Sequence, residues 1–237
     1  MLVLALDTTT RGGSVALVDG DRVIEERAGD AARSHAERLP SEITAIADAH
    51  DLPLSGVDLY GVALGPGSFT GLRIGIATIQ GLAFVHRRRV VGLSALEALA
   101  HAYVQSGGAA AGTVVAAWMD AHRRDVFTAL YRAGDAGSNG NRLEEIEGPS
   151  VGDPQSTLDR WMRERRVTPA VFVGDGAVLY ETEIRRAIVD ARVVPPPLLA
   201  ATIGRLTVVR ASDAMDPAVL RPLYVRKPDA EIARDKK

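Results

Sequence analysis

The 237-residue sequence contains no cysteine. Disulfides, thiolate metal ligands and a cysteine nucleophile are therefore excluded, which suits a reducing compartment. It also has no long apolar run. Met1–Leu6 is apolar, but Asp7 interrupts it and no basic residue precedes it, so it is too short for a signal-peptide core. Ile74–Val85 is punctuated by small residues and Gln80. No segment reaches the ~18–20 apolar residues of a membrane span, and the expected location is the cytoplasm, away from membranes. Nor is there an excess of positive charge: the formal net charge is −2. A protein that grips nucleic acid alone usually carries a basic stripe. Here the basic residues fall in small groups: Arg87–Arg89, Arg123–Arg124, Arg163 with Arg165–Arg166, and the tail from Arg221 to Lys237. Such groups read as solvated faces, and any RNA grip is expected mainly from a partner. The five histidines, at 35, 50, 86, 101 and 122, have no metal-ligand spacing. No G-x-S-x-G elbow is present to make a nucleophile of Ser14, with His35 and Asp120 completing a triad.

What the chain does have is 46% hydrophobic and 24% charged residues, enough for a large globular core. Leu2–Leu6, Ser14–Val18 and Arg22–Arg27 read as three strands, the last two joined by the turn Asp19-Gly20-Asp21. Ser34 and Glu37 have capping-box spacing, and Leu39, Ile43, Ile46, Ala47 and His50 follow at helical period, with Pro40 in the first turns. Tyr60–Leu64 is a buried strand, Thr70–His86 a helix, Val90–Gly92 a strand and Ala95–Val104 a helix. Gly107–Gly112 reads as a hinge or loop, after which the pattern restarts. Strands are expected at Thr113–Met119, Val126–Arg132 and, more weakly, Arg142–Ile146, with a polar loop at Gly134–Gly140. Pro154–Arg165 is a helix, Ala170–Val173 a strand, Ala177–Asp190 a helix and Leu198–Ala211 the last helix.

The order strand-strand-strand-helix-strand-helix thus occurs twice. The fourth strand of each half ends in Val-x-x-Gly-x-Gly, at Val62–Gly67 and Val171–Gly176. A repeat of this size implies an α/β fold of two similar lobes, placed at 1–106 and 107–237. The plan resembles that of actin, hexokinase and the Hsp70 chaperones.

Gly65-Pro66-Gly67-Ser68-Phe69-Thr70-Gly71-Leu72-Arg73 leads from a strand into a helix. Glycine lets backbone approach closely, and the free N–H groups of a helix start can bind phosphate. Ser68 or Thr70 can cap the helix. Leu72 and Arg73 stand where a phosphate loop has Lys and Ser/Thr. Two readings stay open: a capped, tightly packed turn, or a phosphate site with Asp7, Thr8, Gly65, Gly67, Ser68 and Thr70. Asp7 in Asp7-Thr8-Thr9-Thr10 likewise serves either a turn or a nucleotide. Asp120-Ala121-His122 is either a catalytic pair or a polar strand end. The helix that follows has two faces of small residues, one with Gly71, Gly75, Thr78 and Leu82, the other with Ile74, Ala77, Gly81 and Val85. Helical glycines cost about 1 kcal/mol each, which close packing on both faces would offset. One face belongs to the lobe's own sheet and the other either to the chain or to another subunit.

With these motifs in place the sequence resembles the TsaB (YeaZ) family. The resemblance runs through Leu4–Thr9, Ser34–Pro40, Gly65–Arg73, Gly92–Ala100, Asp120–Phe127, Gly174-Asp175-Gly176 and Pro222–Arg226, with Gly65–Arg73 the most specific. His122 stands where the family usually has Arg, and Ala36 where Ser is commoner. The resemblance implies an actin-like fold without a reaction of its own. It implies a heterodimer with the threonylcarbamoyl transferase TsaD, which modifies the adenosine next to the anticodon in tRNAs reading ANN codons. A TsaE-like ATPase would join the pair. ATP and a metal ion are then expected on partner subunits or at a shared interface, with no cofactor of the chain's own, and tRNA would be met mainly through the complex. The contact surface is placed on Leu39, Ile43 and Ala47 with Gly71, Gly75, Thr78 and Leu82, and serves homodimers when the partner is absent. Two alternatives remain: a nucleotide-binding enzyme of the actin-kinase kind, and a peptidase acting through His35 or Ser68.

Overall fold

The computed structural model describes residues 1–137 and 140–226. The chain forms two units, Met1–Ala98 with Leu198–Pro222 and Leu99–Pro197 with Leu223–Lys237. In the first unit β1 (Leu2–Asp7), β2 (Ser14–Asp19) and β3 (Arg22–Ala28) precede α1 (His35–Asp48), β4 (Leu59–Gly65), α2 (Phe69–His86) and β5 (Arg89–Ser94). The sheet order is β3-β2-β1-β4-β5, antiparallel from β1 to β3 and parallel from β1 through β5. α3 (Ala95–Gln105) leads into the second unit. There β6 (Val114–Asp120), β7 (Val126–Gly137) and β8 (Gly140–Gly152) are followed by α4 (Pro154–Asp159), β9 (Val171–Val173), α5 (Asp175–Leu179), α6 (Glu181–Ala187) and β10 (Arg192–Val194). Its order is β8-β7-β6-β9-β10, with the same pattern of parallel and antiparallel pairs. The duplication expected from the sequence therefore holds strand for strand.

Period-2 alternation divides the first sheet into two faces. Leu4 and Leu6 of β1, Val15 and Leu17 of β2, and Tyr60 and Val62 of β4 join Leu39, Ile43 and Ile46 of α1 and Ile76, Ile79 and Ala83 of α2 in one core. Several alternate positions are small: Ala5, Ala16, Gly61 and Ala63. A Cβ on Gly61 would lie 2.2 Å from Thr207 Oγ1, and one on Gly204 would lie 2.5 Å from Val18 Cγ2. That close approach admits the last helix, α7 (Ala200–Val209), onto the opposite face of the sheet. This corrects the placement of the whole stretch 107–237 in the second lobe: the chain returns to the first unit at Leu198, and α3 straddles the other boundary at Ala98. Residues five to sixty in sequence prepare a groove that residues two hundred onward fill, a pairing invisible to local pattern.

The second core centres on Trp118, Trp161 and Phe172, all fully buried. Trp118 meets Trp161 at 6.0 Å and 63°, and Phe172 at 5.4 Å and 82°, both edge-on. Here β10 (Arg192–Val194) joins the sheet at a stretch where no strand is expected, and three expected elements differ. The loop at Gly134–Gly140 is mostly strand, since β7 continues to Gly137 and β8 starts at Gly140; its residues 138–139 lie outside the described residues. The helix at Pro154–Arg165 ends as a π turn, Arg160–Glu164. The helix at Ala177–Asp190 is two short helices broken at Tyr180, whose φ of −110° and ψ of 27° leave the helical basin.

Candidate functional site

The segments singled out in the sequence meet where β1 ends, α1 begins and α2 begins. Asp7 closes β1 and turns the chain: its Oδ1 accepts from Thr9 N at 2.9 Å and from Thr9 Oγ1 at 2.7 Å. Thr9 O in turn accepts from Ser68 N at 2.7 Å, joining the first hairpin to the entry of α2. Gly67 permits this approach, for a Cβ there would stand 2.6 Å from Thr9 O. Ser68, not Thr70, caps α2: its hydroxyl accepts from Gly71 N at 3.2 Å, and Thr70 is exposed. Asp7, Thr8, Gly65, Gly67 and Ser68 are thus brought together, with Thr70 at the rim.

One turn further along α2, the glycines face inward. A Cβ on Gly71 would lie 2.3 Å from Thr8 O, and one on Gly75 would lie 2.2 Å from Thr8 Oγ1. Thr8 is wholly buried, and its hydroxyl has no hydrogen-bond partner among the described residues. Leu39, Ile43 and Ala47 are buried in the same unit. This corrects the expected contact surface. Five of its seven residues, Leu39, Ile43, Ala47, Gly71 and Gly75, are consumed by packing inside the chain, and Thr78 and Leu82 are half-buried. Glycine pairs mark a close approach but not the partner in it, and here the partner is the hairpin at Thr8. A Gly75→Leu substitution would drive a side chain into Thr8.

The other face of α2 looks outward. Ala77 and Gly81 are exposed, a Cβ on Gly81 would meet nothing within 4 Å, and Ile74 is half-buried. Phe84 is 78% exposed and Val85 72%. At the start of the helix the Arg73 guanidinium lies 3.9 Å from the centroid of the Phe69 ring, which is 39% exposed. The result is an apolar ridge of small and large residues along an 18-residue helix.

Two polar clusters lie beneath these elements. Sequence reasoning missed the first. Arg38 is 1% exposed. Its Nη1 donates to the Glu42 carboxylate at 2.8 and 2.6 Å, and its Nη2 donates to the Gly12 carbonyl and, at 2.7 Å, to His35 Nδ1. The positions 35, 38 and 42 share one helix face, which was the available signal. In the second cluster, Ser14 Oγ accepts from Ala200 N at 3.0 Å and Glu26 Oε1 accepts from Ala201 N at 2.8 Å, so both occupy the N-terminus of α7. Burial raises the Glu26 pKa above its ordinary 4.5, against the lowering effect of these bonds.

Ser14 and His35 are therefore each engaged with partners other than a triad. Asp120 accepts from His122 N at 2.8 Å and lies 3.0 Å from His122 Nδ1, the bonds of a strand-end turn on an exposed imidazole. The repeat extends to this point. Asp175 Oδ1 accepts from Asp120 N at 3.1 Å, and a Cβ on Gly174 would lie 1.9 Å from Trp118 O, so the second Val-x-x-Gly-x-Gly also seats a helix against its first strand. Among the described residues no group of three or more His, Asp or Glu is placed to hold a metal ion, and no helix is long and apolar enough to cross a membrane.

Residues 28–234 match the family described as TsaD, tRNA N6-adenosine threonylcarbamoyltransferase. The protein of Haemophilus influenzae named tRNA threonylcarbamoyladenosine biosynthesis protein TsaB is 32% identical over 84% of this chain and 82% of that one. An uncharacterized protein of Mycobacterium leprae, ML0378, is 30% identical over 97% of this chain, which spans 56% of its length; the chain spans 64% of the Escherichia coli TsaB, at 32% identity. The solved structure of YeaZ from Pseudomonas aeruginosa superposes with a TM-score of 0.72 at 27% identity, covering 94% of this chain and 99% of that one. As fold alone, a polyphosphate/ATP-glucomannokinase from Arthrobacter matches with a TM-score of 0.52 at 14% identity, in keeping with the two-lobed actin-like architecture.

Proposed function

Since the chain belongs to the TsaB (YeaZ) family, we propose that it is a non-catalytic subunit in the formation of N6-threonylcarbamoyladenosine on tRNA, docking a TsaD-like transferase on the outer face of α2. The observation that carries the docking reading is the apolar ridge of Ala77, Gly81, Phe84 and Val85, left open while the inner glycines are filled. Small residues at 77 and 81 allow a partner helix to approach closely, and Phe84 offers an aromatic anchor of the kind that dominates interfaces. The same ridge serves two copies of the chain when the transferase is absent. ATP, a metal ion and most tRNA contacts belong to the partners, including a TsaE-like ATPase, in this reading.

The test is a reconstituted modification assay with the transferase and ATPase, in which Gly81→Glu and Phe84→Asp variants are compared with the parent chain. Both positions are exposed, so neither variant should lose more than about 1 kcal/mol of stability, and Gly81→Glu should gain from the loss of a helical glycine. Affinity for the transferase should fall at least tenfold, with modification falling alongside. Undiminished binding by both variants would refute the docking face. The nucleotide-binding alternative draws on Asp7 and the junction of Thr9 with Ser68. Calorimetry with Mg-ATP on the isolated chain separates the two: heat at micromolar nucleotide favours the enzyme, and none at millimolar favours the subunit.

A further inference from the structure

We propose that His35 is an acid-sensitive latch: as a neutral ring it closes the first hairpin and the entry of α2 onto α1, and it releases them on taking a second proton. His35 opens α1 and is 7% exposed. Its ring fills the gap between Gly13 and Gly71, where a Cβ on either would come within 3.2 Å of a ring atom. His35 Nε2 lies 2.9 Å from Thr10 O. A carbonyl only accepts, so Nε2 carries the proton, and Nδ1 accepts from Arg38 Nη2 at 2.7 Å. One neutral imidazole thus ties β1–β2, α1 and α2 together with both nitrogens satisfied.

The second proton would have to go on Nδ1, which faces a guanidinium. Arg38 cannot deprotonate, and it cannot withdraw, because it is buried and held by Glu42 and the Gly12 carbonyl. Two donors and two positive charges would then meet in the interior, and the ring must leave its gap. The charged groups acting on the ring are Arg38 and Glu42 from α1 and Asp7 from β1, while α2 meets it at Gly71. The carboxylates and the Thr10 bond favour the imidazolium, but burial outweighs them with help from Arg38, so the His35 pKa falls below its ordinary 6.5. A depressed value means that the latch stabilises the fold above the ordinary pKa. That contribution is lost as pH falls through the folded one.

The experiment uses the full chain alone, so its outcome is independent of the docking reading. Amide exchange at Gly13, Gly71 and Leu72, corrected for intrinsic pH dependence, is followed from about pH 7.5 to 5, together with the His35 ring resonance. The expected result is a ring that titrates below the ordinary imidazole value. Opening at these amides should rise by up to about tenfold per pH unit in that window, with none of this at Ala116 or Leu130 of the second sheet. His35→Gln keeps a donor and an acceptor but cannot titrate, and its exchange should be flat across the range. A ring that titrates at its ordinary value, flat wild-type exchange, or an unchanged pH dependence in His35→Gln would each overturn the proposal. Should His35→Gln fail to fold, the wild-type exchange and titration decide it.

Discussion

Gly75 and Gly81 lie on one helix, six residues apart, and substitution by alanine should move stability in opposite directions. In each case alanine improves the helix by about 1 kcal/mol. At Gly81 the new Cβ meets nothing within 4 Å, so that gain is realised. At Gly75 the Cβ would stand 2.2 Å from Thr8 Oγ1, 2.9 Å from Thr8 Cγ2 and 3.1 Å from Thr8 Cβ. Thr8 is short, branched and wholly buried, so it cannot swing aside as a flexible chain end would. Overpacking of this kind costs about 1–3 kcal/mol. Gly75→Ala should therefore be neutral to about 2 kcal/mol destabilised, and Gly81→Ala stabilised by up to about 1 kcal/mol. The helix term is common to both, so their difference isolates the clash, about 1–3 kcal/mol. Both tryptophans, Trp118 and Trp161, belong to the second unit, so their fluorescence does not report on the first unit directly. Urea unfolding followed by circular dichroism, with amide exchange in β1 and α2, reads the change. Adding Thr8→Ala to Gly75→Ala should recover most of the clash as a coupling energy. Equal effects of the two glycine substitutions, or no coupling to Thr8, would refute the assignment of the inner and outer faces.

Three further outcomes follow from buried polar groups. Glu147 accepts from Trp161 Nε1 at 3.0 Å and Arg160 Nη2 at 2.6 Å and is bridged by Arg165, so Glu147→Ala should cost about 2 kcal/mol and shift the tryptophan emission on unfolding. Ser14→Ala removes the acceptor for Ala200 N and should lower the stability of α7 by about 1 kcal/mol, seen as faster exchange in α7 with the second sheet unaffected. Glu26 is raised in the folded state, so it retains its proton longer there than in the unfolded chain. Its contribution is fully present below the ordinary 4.5 and is lost as pH rises through the folded value. Glu26→Gln, which keeps the acceptor for Ala201 N, should flatten that part of a stability-versus-pH profile, and an unchanged profile would remove Glu26 from the account.

The repeat was legible because each half spells the same alternation of short apolar strands and glycine-bearing turns. The strands at Leu2–Asp7, Ser14–Asp19 and Leu59–Gly65 fall within a residue of expectation, since each is a buried run ended by a turn former. That a hydroxyl residue caps α2 was legible for the same local reason, but the sequence offered both Ser68 and Thr70, and the structure decided for Ser68. The continuation of β7 to Gly137 and the start of β8 at Gly140 were not legible, because these glycines sit where two long strands pair and cross-strand bonds override the local preference. The Arg38 cluster went unseen because an arginine beside a helix stripe looks solvated until the carbonyls of Arg11 and Gly12 are brought to it.

By itself, the sequence determined the duplicated α/β plan, the absence of thiol chemistry and the family motif at Gly65–Arg73. These follow from residue type and spacing along one stretch of chain. Only the tertiary structure decided which face of α2 is spent and which is offered. Helical period places Gly71 and Gly75 on one stripe and Ala77 and Gly81 on another, but both are equally small. What separates them is Thr8, more than sixty residues away, whose side chain fills the space at Gly75 and leaves the space at Gly81 empty.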